Sequence, residues 1–434
     1  MKRLFLGIVA HVLENPFTGS AEDCLEIIED GALLADEHGK ILARGPKQTL
    51  MAAHPDAEIV DFGDDWLLPG FVDGHVHFPQ VYATAAYGHH LLDWLQTSVF
   101  PAELAFADEA FAVVAARRFV HQLLRMGTTT ALVFGSQFTP ATRALFEAAR
   151  QQGLRLISGL TLMDLDAPAR LLHTPQSAYD ECRQLIRMTE KTPGLYYAVT
   201  PRFALSCSPA MMDVCRSLIE EFPDCYLQTH INENLDEIEA VKASFPEAHN
   251  YLDVYARQGL LSPRTVLAHS VHSTDAELDR MAELDCRVCH CPASNMYLGS
   301  GIFNLARHLE RRIQVLVGTD IGAGTNFSIL EELSDVYKAQ QMYDMRLGAA
   351  KLLYLGTLAG AEALHLAGET GNFAEGKSAD FVVLSSQTDL CFQERLARCT
   401  SRKDQLFAWL NMFRPSHLRA TYSGGRLVIP EERP

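Results

Sequence analysis

From Trp66 onward the chain alternates short apolar runs, rich in β-branched residues, with longer segments whose apolar positions recur every three to four residues. Eight runs read as strands, at 66–77, 128–134, 155–162, 195–203, 225–231, 265–270, 287–291 and 314–320. Helical periodicity lies between them, at 108–126, 140–151, 177–189, 209–221, 235–244, 275–284 and 302–310. Such alternation predicts a (β/α)8 TIM-type barrel, an α/β fold in which helices wrap a closed parallel sheet. A barrel gathers its strand ends at one face, whereas an open doubly wound sheet would spread them along an edge. His75, His77, Arg202, His230, His269 and Asp320 all fall at the downstream ends of these runs, where a barrel builds its active site.

The two ends of the chain read differently. Short strands and turn signals at 31–35, 41–43, 379–384 and 422–429 leave neither terminus with enough strands for a covered sheet. They predict one small β-sandwich domain assembled from residues 1–65 and 368–434 and packed against a catalytic barrel at 66–367. The opening Met1 to Ala10 is basic and then apolar, but His11 and Glu14-Asn15-Pro16 interrupt it, so it reads as a first strand and not as a secretory leader. No apolar stretch approaches the length that spans a bilayer.

Composition narrows the partners. The formal net charge is −17, so a phosphate backbone or an anionic membrane is repelled on average, and neither nucleic acid nor membrane is expected as a partner. Ten cysteines are scattered without a repeated framework, a pattern that suits buried thiols in the cytoplasm. Cys289-His290-Cys291 lacks the second cysteine pair of a zinc knuckle and reads as a strand end; His89 and His90 read as loop residues.

Side chains at i and i+2 leave a strand on one face, so His75 and His77 can chelate a single divalent ion. Adding His230 and Asp320 gives three nitrogens and one oxygen, a set that suits one zinc or ferrous ion per subunit with a position open for water. An ion so held lowers the pKa of that water toward neutrality. A dinuclear centre would ask for a bridging carboxylate, often a modified lysine, but strand four ends Thr200-Pro201-Arg202-Phe203. Glu233, three residues beyond His230, can return its carboxyl toward the ion as a proton shuttle. His269 either ligates the ion or hydrogen-bonds its water, the second role being favoured, and Asp320 doubles as base. Arg202 offers the planar fork that arginine uses on the O6 and N7 edge of guanine, Phe203 can stack on a flat heterocycle, and Gln80 can donate and accept. The glycine-rich run 318–324 lacks the lysine of a phosphate loop and reads as tight packing beside the ion.

With Pro69-Gly70-Phe71-Val72-Asp73-Gly74-His75-Val76-His77-Phe78-Pro79-Gln80, Leu91-Leu92-Asp93-Trp94-Leu95, Phe100-Pro101-Ala102-Glu103, Thr200-Pro201-Arg202-Phe203-Ala204, Thr229-His230-Ile231-Asn232-Glu233-Asn234, Leu267-Ala268-His269, His290-Cys291-Pro292-Ala293-Ser294-Asn295 and Gly318-Thr319-Asp320-Ile321-Gly322-Ala323-Gly324, the chain resembles the amidohydrolase superfamily. Gln80, Arg202-Phe203 and the segment 91–103 make it look like the guanine-deaminating branch. Gly74, where many relatives carry Thr, is a small departure that touches no ligand. The resemblance implies zinc on His75, His77, His230 and Asp320, proton shuttling by Glu233, and guanine held among Gln80, Arg202, Phe203, His230, Glu233 and Asp320. It implies a homodimer and a hydrolase of C–N bonds in cyclic amidines, converting guanine to xanthine and ammonia in purine catabolism. Water would attack C2 while Glu233 protonates N3 and then assists loss of the amine, with Arg202 holding the O6 edge. Competing readings are a related deaminase of 8-oxoguanine, a pterin or a triazine, and a non-catalytic scaffold that keeps the barrel. The zinc deaminases with a His-x-Glu and Pro-Cys-x-x-Cys signature are excluded by the order and spacing around Cys291-Pro292.

Overall fold

A computed structural model describes residues 1–20, 23–87 and 91–430. Sixteen strands lie among them: β1 Arg3–Val12, β2 Leu25–Ala35, β3 Ile41–Pro46, β4 Glu58–Pro69, β5 Phe71–His77, β6 Thr128–Phe134, β7 Arg155–Gly159, β8 Thr161–Leu162, β9 Leu195–Pro201, β10 Tyr226–Ile231, β11 Thr265–His269, β12 Arg287–His290, β13 Gln314–Val317, β14 Phe381–Leu384, β15 Leu418–Ser423 and β16 Arg426–Ile429. By contact the chain groups into two compact units, one of Met1–Asp73, His121–Thr130 and Ser328–Pro434, the other of Gly74–Val120 and Ala131–Phe327. The first unit therefore takes in 66–73, 121–130 and 328–367, segments that the sequence periodicity groups with the barrel.

The strands from the two termini hydrogen-bond as one seven-stranded sheet, in the order β16-β15-β14-β4-β1-β2-β3. Strict alternation along β1 buries Phe5 and Val9 in one apolar cluster with Leu33, Phe381 and Tyr422, and Leu4 and Leu6 in a second with Ala32, Leu34 and Leu50. Both faces of the sheet thus carry a core, and a single sheet that draws its strands from both termini fits the expected small β domain.

The barrel strands follow the order β5-β6-β7-β9-β10-β11-β12-β13, with β8 added beside β9. Pairing from β7 through β13 is parallel throughout. The expected run 66–77 divides at Gly70: Trp66–Pro69 ends β4 in the terminal sheet, and only Phe71–His77 enters the barrel. Glycine is required at the break, because a Cβ there would lie 2.1 Å from Thr129 Oγ1. The predicted helices form within a few residues of their expected bounds, with Pro209–Glu221 and Leu235–Ser244 matching them residue for residue.

Candidate active site

The second unit carries every predicted site residue. Two backbone bonds connect β5 to the segment after β13, His77 N to Ile321 O and Asp320 N to His75 O, both 2.8 Å. They bring the first and last barrel strands together where the histidines stand. Gly318 permits the approach, since a Cβ there would meet His75 N at 2.7 Å and Cys289 Sγ at 2.8 Å. His77 Nε2 lies 3.2 Å from His75 Nε2 and 3.2 Å from His230 Nε2. Asp320 Oδ1 is 3.2 Å from the Nε2 atoms of both His75 and His77. His269 Nε2 stands 3.8 Å from Asp320 Oδ2. Asn232, His269, Ser270 and Asp320 adopt left-handed backbone conformations, with φ between 49° and 74°, as β10, β11 and the segment after β13 turn out of the barrel. Such conformations cost about 1–3 kcal/mol each and concentrate at functional sites.

The electrostatics suit a cation. Burial holds the His77 imidazole down at about 3 and His230 well below its ordinary value, so both are neutral and present lone pairs. Burial pushes the Asp320 carboxyl up, but His75, His77 and His269 outweigh it and hold the group well below the carboxylate range. His230 Nδ1 donates to Arg202 O at 2.6 Å and His269 Nδ1 to Asn295 Oδ1 at 2.9 Å, which turns each Nε2 inward. Ligand atoms of His75, His230 and His269 lie within 4.8 Å of one another, as do those of His75, Cys291 and Asp320. Imidazole nitrogens and a carboxylate facing a common centre fit a divalent ion.

Glu233 sits beside this cluster, buried, its Oε2 3.5 Å from His269 Nε2 and its Oε1 accepting from Ser300 Oγ at 3.3 Å. Burial, reinforced by the Asp320 charge, pushes its carboxyl up to about 8. A helix start holds it in place. Asn234 caps helix Leu235–Ser244, and the Glu237 carboxylate reaches back to accept from Glu233 N at 3.0 Å and Asn234 N at 3.3 Å. Tyr251 donates to Glu237 Oε1 at 2.9 Å, and Tyr255 to His230 O at 2.9 Å. The sequence reading assigned no role to Glu237, Asn295 or Ser300. The Asn234-x-x-Glu237 spacing is the one signal from which the first could have been read.

A second polar group faces the same cleft. Arg202 Nη1 donates to both oxygens of Glu103 at 2.8 Å, both side chains being almost fully buried, and its guanidinium lies 5.3 Å from the Phe100 ring centre. Gln80 Nε2 donates to Glu103 Oε1 at 3.4 Å and Gln137 Nε2 to Oε2 at 2.7 Å. Phe203, Leu91, Trp94, Leu95, Leu298 and Ala323 supply the apolar walls of the cleft, with Gln80, Arg202, His77, His230, Glu233, Glu237, His269 and Asp320 completing them. The expected fork of Arg202 is thus partly engaged by Glu103. Cys289-His290-Cys291 does end a strand, and it also brings Cys291 within reach of the donors. His290 stacks on Phe303 at 4.4 Å with neither ring nitrogen hydrogen-bonded. His89 and His90 lie outside the described residues.

Residues 66–428 match the model of the amidohydrolase family. The chain belongs to the amidohydrolase family. Within that family it is 41% identical to the guanine deaminase of Escherichia coli (strain K12) over 421 residues, covering 97% of this chain and 95% of the relative. A solved structure of an E. coli guanine deaminase superposes with a TM-score of 0.94 at 39% identity, covering both chains completely. The guanine deaminase of C. acetobutylicum, solved with guanine bound in its active site, gives 0.88 at 25% identity over 99% of this chain and 100% of that one.

Proposed function

We infer that this amidohydrolase catalyses the hydrolytic deamination of guanine to xanthine and ammonia. The observation that carries the reading is one cleft with two polar ends, a cation-fitting cluster beside a buried carboxyl and an arginine set against apolar walls. Similarity to guanine deaminases over the whole chain supports the same substrate. His75, His77, His230 and Asp320 would hold a zinc ion, ferrous iron being the alternative with the same donor preferences. When bound, such an ion lowers the pKa of water and so supplies a nucleophile near neutral pH.

The remaining chemistry falls to side chains of this chain. Asp320, kept ionised by the imidazoles around it, accepts a proton from the attacking water. Glu233 holds its proton near neutral pH and delivers it to N3 as a C–O bond forms at C2. The Glu233 carboxylate so formed takes the proton of the new C2 hydroxyl and passes it to the departing amine, so the C–N bond breaks to ammonia as C2=O of xanthine forms, and the proton held on Asp320 returns to Glu233. His269, oriented by Asn295, steadies the water by hydrogen bonding. Arg202 donates to the O6 edge, Gln80 reads the ring beside it, and Phe203 forms part of the wall against the purine.

We extend the proposal to a cytoplasmic homodimer, the dimer resting on the resemblance alone. None of the ten cysteines is in a disulfide, which suits a reducing compartment, and among the described residues no helix is long and apolar enough to cross a membrane. The test is a substrate panel on zinc-loaded protein, following loss of ring absorbance and release of ammonia. Guanine is expected to give the highest kcat/KM; turnover no better than that of 8-oxoguanine, a pterin or a triazine would discard the assignment. Light scattering on the eluting protein checks the dimer.

A further inference from the structure

We propose that Glu103 is a positioning residue that fixes the hydrogen-bond polarity of the cleft, and through Gln80 and Arg202 makes it select a lactam edge, N–H beside C=O, over the reversed edge of a 6-aminopurine. The proposal rests on the guanine reading, but its readout is separate. A carboxylate paired with a guanidinium can only accept, and Glu103 accepts from three buried side chains: Arg202, Gln80 and Gln137. Both carboxamides must therefore turn their NH2 groups toward it. Gln137 shows how strongly, because its NH2 takes Glu103 although its buried Oε1 is left without a hydrogen-bond partner.

For Gln80, which lines the cleft, the same demand leaves the carbonyl oxygen as the end free for a ligand. The opposite orientation would set two acceptor oxygens against each other. Arg202 lines the cleft as well, and with Nη1 engaged by Glu103 its other N–H groups remain as donors. The wall so built offers an acceptor and donors side by side. A 6-oxopurine presents N1–H and C6=O, which match both. A 6-aminopurine presents a bare N1 and an NH2, which oppose acceptor to acceptor and donor to donor. Buried polar groups left unpaired in this way are penalised roughly ten- to a hundredfold in affinity.

Competition against guanine turnover by the zinc-loaded full chain tests this, with hypoxanthine and adenine as inhibitors. Hypoxanthine should bind the parent at least about tenfold more tightly than adenine, and Glu103→Gln, which can donate to Gln80 and let its amide turn, should reduce that ratio to about threefold or less with zinc content unchanged. An equal affinity in the parent, or a ratio preserved within about twofold in the variant, overturns the proposal. If Glu103→Gln does not fold, Gln80→Leu leaves the ion pair in place and removes the oriented carbonyl; a collapsed ratio there upholds the proposal and a preserved one overturns it. Absence of guanine turnover would instead discard the functional reading, and calorimetric binding of the same two purines would still read the ratio.

Discussion

The two polar ends of the cleft satisfy their charges in opposite ways. At the histidine end, imidazole nitrogens and the Asp320 carboxylate face one another at 3.2 Å, an arrangement completed by a cation. At the arginine end, Glu103 and Arg202 compensate each other within the protein, and the two glutamines add donors to the same carboxylate. The difference separates two tasks. Chemistry belongs where a ligand completes the electrostatics, and recognition where they are complete before anything binds, because preorganised groups need no rearrangement to read a substrate.

The largest effects should come from the incomplete end. His230→Ala is expected to lose the bound ion and with it more than about 10³-fold of kcat, read by metal analysis beside steady-state kinetics. Chelator-treated parent should lose activity and melt at lower temperature, and zinc should restore both, since a ligand that binds only the folded state stabilises it. Glu233→Gln leaves the donors intact, so it should keep its zinc while kcat falls about 10²- to 10⁴-fold. Turnover at the parent rate in that variant would remove the proton-transfer role.

At the compensated end the effects are smaller and divide differently. Arg202→Ala should raise KM and lower kcat/KM for guanine, and it should also destabilise the fold, because a buried Glu103 without its partner costs about 3–5 kcal/mol. Replacing the pair together, as Arg202→Met with Glu103→Leu, should recover most of the melting temperature and none of the kcat/KM. Recovery of both would mean that the pair serves packing alone.

What was legible in the sequence follows the same division. Residues whose place is set by strand register could be read directly: His75 and His77 share a face by their spacing, and His230, His269 and Asp320 end or follow their own strands. The break at Gly70 was hidden, because Trp66–Pro69 and Phe71-Val72 read as one apolar run and only the close approach of Thr129 requires a glycine between them. Glu103 was out of reach for a different reason. Its partners Arg202 and Gln137 lie 99 and 34 residues away on other elements, and no local pattern distinguishes it from a helical surface acid. Glu237 is intermediate, since the capping spacing is local while its burial is not.

Glu237 also supplies the smallest and most discriminating test. Unlike Glu103, it is held by backbone N–H groups and the Tyr251 hydroxyl, and burial pushes its carboxyl up to about 7 from an ordinary 4.5. Below the ordinary value, both folded and unfolded chains carry the proton and the group contributes no pH dependence. As pH rises from there toward 7, the unfolded chain releases the proton first, so it binds fewer protons than the folded one and stability falls. Above 7 both forms are ionised and the loss is complete. Glu237→Gln removes the titration, while its weaker capping lowers stability by a similar amount at every pH. The melting temperature of the zinc-loaded variant should therefore start below the parent's in acid and close on it by a few degrees between pH 5 and 8. Parallel curves would mean that its three donors accommodate the carboxylate fully and that burial does not govern its titration.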